Sequence, residues 1–336
     1  MKRNFGIVYI LGILLFLAAC DNQPPTPNVP TTPAMSLVDA PVFKEDSAYY
    51  FIEKQVDFGP RVPNTPEHEA CRDWLAKTLG NFADTIYLQH ADLKAFDGTI
   101  LKSTNIIGSF NDNATRRVLL AAHWDTRPFA DQEDDKTRKR EPILGANDGA
   151  SGVGVLLEIA RILHENPIDI GVDIILFDSE DYGQPSFSNL PYVPDSYCLG
   201  SQYWAANPHK KDYSADFGIL LDMVGAKDAL FTHEGTSVYY AKSYLNKVWS
   251  IARVIGYSDY FAFQETPPIT DDHLYINKVA GIPTINIIQY DRSTKSGFGH
   301  YWHTHKDDMS IIDKNTLKVV GQTVTQVVYQ FNEGNL

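Results

Sequence analysis

The sequence predicts an α/β protein, a three-layer αβα sandwich around a central mixed, mostly parallel sheet, on three observations. Short runs apolar on both faces, 118–122 and 172–177, flank a segment of helical spacing, the pattern of a buried parallel βαβ unit with a right-handed crossover. A Gly-rich string over 142–161 opens that helix and sets Asp148 immediately before it. Carboxylates and histidines recur where the apolar runs end, and sheets of this class bind ligands beyond the carboxyl ends of their strands.

The elements follow in order. Lys2 and Arg3 precede an apolar run over 7–16 that ends at Leu17, Ala18, Ala19 and Cys20. A basic start, a short apolar stretch and small residues before Cys make residues 1–19 a signal peptide. Its ending resembles a lipoprotein lipobox, which implies cleavage before Cys20, lipidation of that residue, and a catalytic domain tethered to a bacterial cell-envelope membrane by lipid alone. Residues 20–40, rich in Pro, Thr and Asn, are expected to form a disordered tether. A single domain is expected over 41–336. It begins with a helix carrying Phe51, Ile52 and Val56 that ends at Gly59-Pro60, and a second helix opened by Pro66. Strands are expected over 85–93, 103–110, 118–122, 172–177, 217–223 and 284–289, and helices over 202–206, 237–255, 273–279 and 315–331. The charged run 131–141 reads as a solvated loop, and 183–197, with three prolines, as a pocket wall.

Loss of the leader removes two positive charges and moves the net charge from -13 to -15, which argues against nucleic acid as a partner. Cys71 and Cys198 are left as candidates for a disulfide, and no cysteine pair has metal-finger spacing. The strand ends instead collect His123, Asp148, Asp181 and Asp222, with His303 near the C-terminus. Nitrogen and oxygen donors without thiolate suit Zn²⁺. Glu180 is a spare carboxylate beside a ligand, as a general base requires. Asp148 and Asp271 also have a simpler reading as helix caps.

The strings His123-Trp124-Asp125-Thr126, Gly145-Ala146-Asn147-Asp148-Gly149-Ala150-Ser151-Gly152, Phe177-Asp178-Ser179-Glu180-Asp181, Leu221-Asp222-Met223-Val224-Gly225 and Trp302-His303-Thr304 resemble the zinc aminopeptidase clan and its offshoot, the glutaminyl cyclases. In a di-zinc aminopeptidase Asp148 would bridge two ions, with His123 and Asp222 on one, Asp181 and His303 on the other, and Glu180 activating water. In a cyclase one zinc per chain would be held by Asp148, Asp181 and His303. Glu180 would then shuttle the proton, Asp222 and Asp271 would share a proton and hold the amide nitrogen, and Trp302 and His123 would contact substrate. Trp302, Asp271-Asp272-His273 and the His123 string look closer to the cyclase form. That resemblance implies peptides or exported proteins with N-terminal Gln as partners. Asp181 where animal cyclases usually have Glu, Asn286 in place of a His, and Gly149 in place of a Ser are departures. Nothing matches the second pocket tryptophan of those enzymes.

Overall fold

The computed structural model describes Met1 and residues 36–336; the leader, Cys20 and the tether up to residue 35 lie outside the described residues. Among the described residues no helix is long and apolar enough to cross a membrane. Residues 36–40, expected in the tether, are instead hydrogen-bonded to the C-terminal helix: Gln330 Nε2 donates to Ser36 O (2.8 Å) and Gln326 Nε2 to Val38 O (2.8 Å). The buried glutamines satisfy the extended backbone, so the folded body begins by Ser36.

The helices α1 (Glu45–Val56) and α2 (Pro66–Gly80) lead into β1 (Thr85–Lys94), β2 (Ile100–Phe110) and β3 (Arg117–His123). Thr65 caps α2 by accepting from His68 N, with Pro66 in the first turn. After α3 (Ala150–Glu165) come β4 (Gly171–Phe177), α4 (Leu199–Ala206), β5 (Phe217–Asp222), β6 (Phe231–Glu234), α5 (Gly235–Val254) and β7 (Phe261–Thr266). The chain closes with α6 (Asp272–Tyr275), β8 (Thr284–Ile288) and α7 (Lys314–Asn332).

One six-stranded sheet runs β1-β2-β4-β3-β5-β8. Its first two pairings are antiparallel and its last three parallel, so it is mixed and mostly parallel. The strands β3, β4 and β5 are buried along their whole length, which explains their continuous apolar runs. Helices α1, α3, α5 and α7 pack together on one face. On the other, Trp204 of α4 and Ile276 join Leu119, Ile175 and Leu220 in a core cluster. The expected three layers are present.

Two features depart from expectation. A separate two-stranded parallel sheet, β6 with β7, had no sequence signal, because β6 is four residues long and β7 is three apolar residues followed by three polar ones, with no period of two. The helix expected over 273–279 is one α turn followed by a π turn, Ile276–Ala280. Asn277 widens it by donating to His273 O (2.8 Å) and Thr284 O (2.7 Å), which ties the turn to β8.

Candidate metal centre and active site

Parallel pairing sets the carboxyl ends of β3, β4, β5 and β8 on one edge, and the candidate residues among those described gather there. His123 ends β3 and Asp222 ends β5, while Glu180 and Asp181 follow β4. Asp148 enters from the loop before α3. Gly149 makes the turn at φ +97°, and a Cβ there would lie 2.8 Å from Asp125 O, which accounts for glycine where a serine was the expected form. Asp148 does not cap α3, whose N-terminus has no side-chain cap. Its carboxylate faces His123 and His303 instead, and its backbone N–H donates to Asp307 (3.0 Å).

Two buried trios share Asp148. In one, His303 Nε2 lies 3.6 Å from Asp148 Oδ2 and 3.3 Å from Asp181 Oδ1. In the other, His123 Nε2 lies 3.1 Å from Asp148 Oδ1 and 3.3 Å from Asp222 Oδ1. A tetrahedral zinc site with bonds of about 2.0–2.1 Å has donor-to-donor edges of roughly 3.3 Å. The four histidine-to-carboxylate distances lie close to that spacing, and each trio's donors all fall within 4.8 Å of one another. Asp181 Oδ2 and Asp222 Oδ1 are moreover buried without a hydrogen-bond partner, a costly arrangement unless a cation is there to meet them. The donor set therefore fits zinc.

A further ring of residues holds these donors. Asp125 accepts from Glu180 N (3.0 Å) and Asp181 N (3.1 Å), and lies 3.5 Å from His123 Nδ1. Asp131 accepts from Arg127 Nε (2.7 Å) and lies 3.2 Å from His303 Nδ1. Histidine ligands commonly need such a carboxylate behind them. Four non-glycine residues of the site, Ser179, Cys198, Met223 and His303, have positive φ, the kind of backbone strain that gathers at functional sites.

Residues 105–328 match peptidase family M28. The chain belongs to that family. A Zn-dependent exopeptidase from Parabacteroides distasonis is 52% identical with a TM-score of 0.85, the match covering 87% of this chain and 99% of the other. The glutaminyl cyclase of Bacteroides thetaiotaomicron gives the same identity, TM-score and coverage. Aminopeptidase YwaD of Bacillus subtilis is 29% identical over 71% of this chain, but the match spans only 46% of that enzyme's length.

In this M28 chain Asp148, Asp181, Asp222 and His303 of the trios line a cavity of about 520 Å³ together with Glu180, Asp271, Trp302, Phe298 and Tyr197 among others. Trp302 stands on the wall, its ring 3.7 Å from that of His303 and nearly parallel to it. Asp271 both caps α6, accepting from Asp272 N, and faces the cavity, while Asn286 Nδ2 donates to its other oxygen (2.6 Å). Burial raises the Glu180 carboxyl well above the usual range, opposed by His123 and reinforced by Asp181, Asp272 and Asp271. Burial, with the charge of Asp271 adding, likewise pushes Asp222 up to about 7.

Several expectations change here. His123 is buried and does not line the cavity; it sits between Asp148 and Asp222, as a ligand would, rather than against substrate. Asp131, assigned to a solvated loop, is buried because it faces both Arg127 and His303. Cys71 and Cys198 are both free, and Cys198 Sγ donates to Glu180 Oε1 (3.1 Å). His305 pairs with Glu133 (3.0 Å) and Glu141 (3.3 Å), apart from the trios. Arg127, Asp131 and Asp307 are the site residues that sequence reasoning missed. The one available signal was the nearness of Asp307 to Trp302-His303.

Proposed function

We propose that the chain is a zinc-dependent glutaminyl-peptide cyclotransferase, closing an N-terminal glutaminyl residue to pyroglutamate with release of ammonia. The observation that carries this reading is Trp302, a flat apolar wall beside one trio and facing a cavity that also holds Glu180, Asp222 and Asp271. The name of the half-identical Bacteroides thetaiotaomicron enzyme supports it.

Asp148, Asp181 and His303 would hold one zinc, which supplies a Lewis acid for the side-chain amide carbonyl. Trp302 packs against the side-chain methylenes and bends the residue so that its own α-amine meets the amide carbon. Glu180, with its raised proton affinity, takes a proton from the attacking amine and returns it to the leaving nitrogen. The new C–N bond closes the ring, the old one breaks, and ammonia leaves. Asp222 and Asp271 accept hydrogen bonds from the departing NH₂ group.

A second reading, a di-zinc aminopeptidase, is favoured by the His123-Asp148-Asp222 trio, whose histidine-to-carboxylate distances of 3.1 and 3.3 Å are close to the 3.6 and 3.3 Å of the first. Glu180 would then activate water.

Mass analysis of a Gln-initiated peptide incubated with the zinc-loaded protein separates the two. Loss of ammonia is expected; release of free Gln would establish the peptidase instead. Glu180→Gln should retain zinc while turnover falls on the order of 10²–10⁴-fold, and loss of metal in that variant would contradict the shuttle.

The leader motif supports lipid anchoring at Cys20 in a bacterial cell envelope, and the acidic charge supports exported peptides rather than nucleic acid as partners. Equal abundance of unmodified Gln termini on exported proteins with and without this chain would count against that placement.

A further inference from the structure

Beside the catalytic cavity lies a second chamber of about 430 Å³, and Tyr197 and Thr270 line both. Its wall is the segment 183–197, which contains no helix or strand. The side chain of Gln184 nevertheless fixes it from within. Nε2 donates to Leu190 O (3.3 Å), Pro191 O (3.1 Å) and Ser188 Oγ (3.2 Å), and Oε1 accepts from Val193 N (2.8 Å). Two further ties join the segment to the site's own framework. Ser186 N donates to Asp131 (3.0 Å), the carboxylate behind His303, and Tyr275 OH donates to Asp195 (2.9 Å). The wall so held presents Leu190 at 49% exposure and Tyr192 at 83%, both lining the chamber.

Apolar side chains held outward on a pre-ordered loop bind with little further loss of chain freedom. The reaction proposed above consumes only the first residue of its substrate, so the rest of the peptide must leave the catalytic cavity over its rim. The concavity that shares Tyr197 and Thr270 with that cavity is this chamber.

We infer that the chamber is an extended-substrate site that holds the residues following the N-terminal glutaminyl. It favours apolar or aromatic side chains at the second to fourth positions, against Leu190, Tyr192 and Pro185. Asp195 on the same wall disfavours acidic ones. At about 3.3–3.6 Å per extended residue, a chamber of this size takes two or three residues.

The inference rests on the substrate class proposed above, and binding measured without turnover tests it separately. In the zinc-loaded Glu180→Gln protein, affinity is measured for glutamine amide, which has no second residue, and for a hexapeptide beginning Gln-Leu-Phe. The longer ligand is expected to bind about fivefold or more tightly. Leu190→Ser with Tyr192→Ser should abolish that gain while affinity for glutamine amide stays within twofold. Tyr192→Ser alone should remove part of it, and glutamate at positions two and three should remove it in the parent. No gain with length, or a gain that survives in the double variant, overturns the inference. Release of free Gln by the Glu180 enzyme, with the gain intact, would overturn the cyclisation reading and leave the chamber's role standing.

Discussion

Asp131 couples three things that are distant in sequence: the guanidinium of Arg127, the ring of His303 and the backbone of Ser186. A carboxylate behind a histidine ligand fixes its ring and raises its basicity, and removing one commonly weakens metal binding by about 10–100-fold. Asp131→Asn should therefore weaken zinc affinity by that order in a chelator competition assay, with activity restored by added zinc. An unchanged affinity would show the contact to be incidental. Most of the ligands could be read from the sequence because His123 and Asp222 end strands, Asp181 follows one and Asp148 precedes a helix, where short apolar runs mark the position; His303 lies in a turn and was legible only from the string around it. Asp131 could not be read. It lies at the head of a mixed-charge run whose other members are solvated, and only the fold reveals that Arg127 turns inward beneath it.

At the scale of elements, the site depends on how closely α3 crosses β5. Gly152 makes that approach possible, since a Cβ there would fall 2.2 Å from the carbonyl oxygen of Leu221 and 2.9 Å from Cβ of Ala122. Gly152→Ala must push the helix away from the strand and carry Asp148 with it. Overpacking of this kind costs about 1–3 kcal/mol. The expected outcome is a lowered Tm together with weaker zinc binding, measured on the same preparation; a lowered Tm with zinc affinity unchanged would separate the crossing from the site. The Gly-rich string was visible in the sequence, and so was its position before a helix. Its reason was not, because a close helix-to-strand approach is a tertiary fact. The β6 and β7 pair escaped for a related reason: four residues are too few to show a period, and their pairing spans the whole of α5.

The molecule as a whole carries buried ionisable groups away from the trios that set its response to acid. Burial holds the His209 imidazole down at about 4, where it accepts from Trp204 Nε1 (3.2 Å). For Glu234, burial raises the proton affinity, but the hydrogen bond from His273 (2.9 Å) and other donors outweigh it and bring the carboxyl to about 2. Both folded values lie below their unfolded ones, so the unfolded chain binds protons first as pH falls. Stability from His209 is complete above about 6.5 and lost towards 4; that from Glu234 is complete above about 4.5 and lost towards 2. His209→Gln, which keeps an acceptor for Trp204, should flatten the fall in Tm between pH 6.5 and 4, a limb worth at most about 3 kcal/mol. An unaltered slope in thermal melts across that range would refute the assignment.

The sharing of Asp148 between two trios has a consequence for how metal content is read. One carboxylate serving two neighbouring positions makes their occupancies interdependent: an ion in either position neutralises the charge that would attract the other, and two cations a few ångströms apart repel. Zinc uptake should consequently follow a biphasic isotherm, so that stoichiometry becomes a function of free-zinc activity rather than a constant of the ligand set. A count of ions acquires meaning only when plotted beside catalysis along that isotherm, where the step at which turnover saturates identifies the working state.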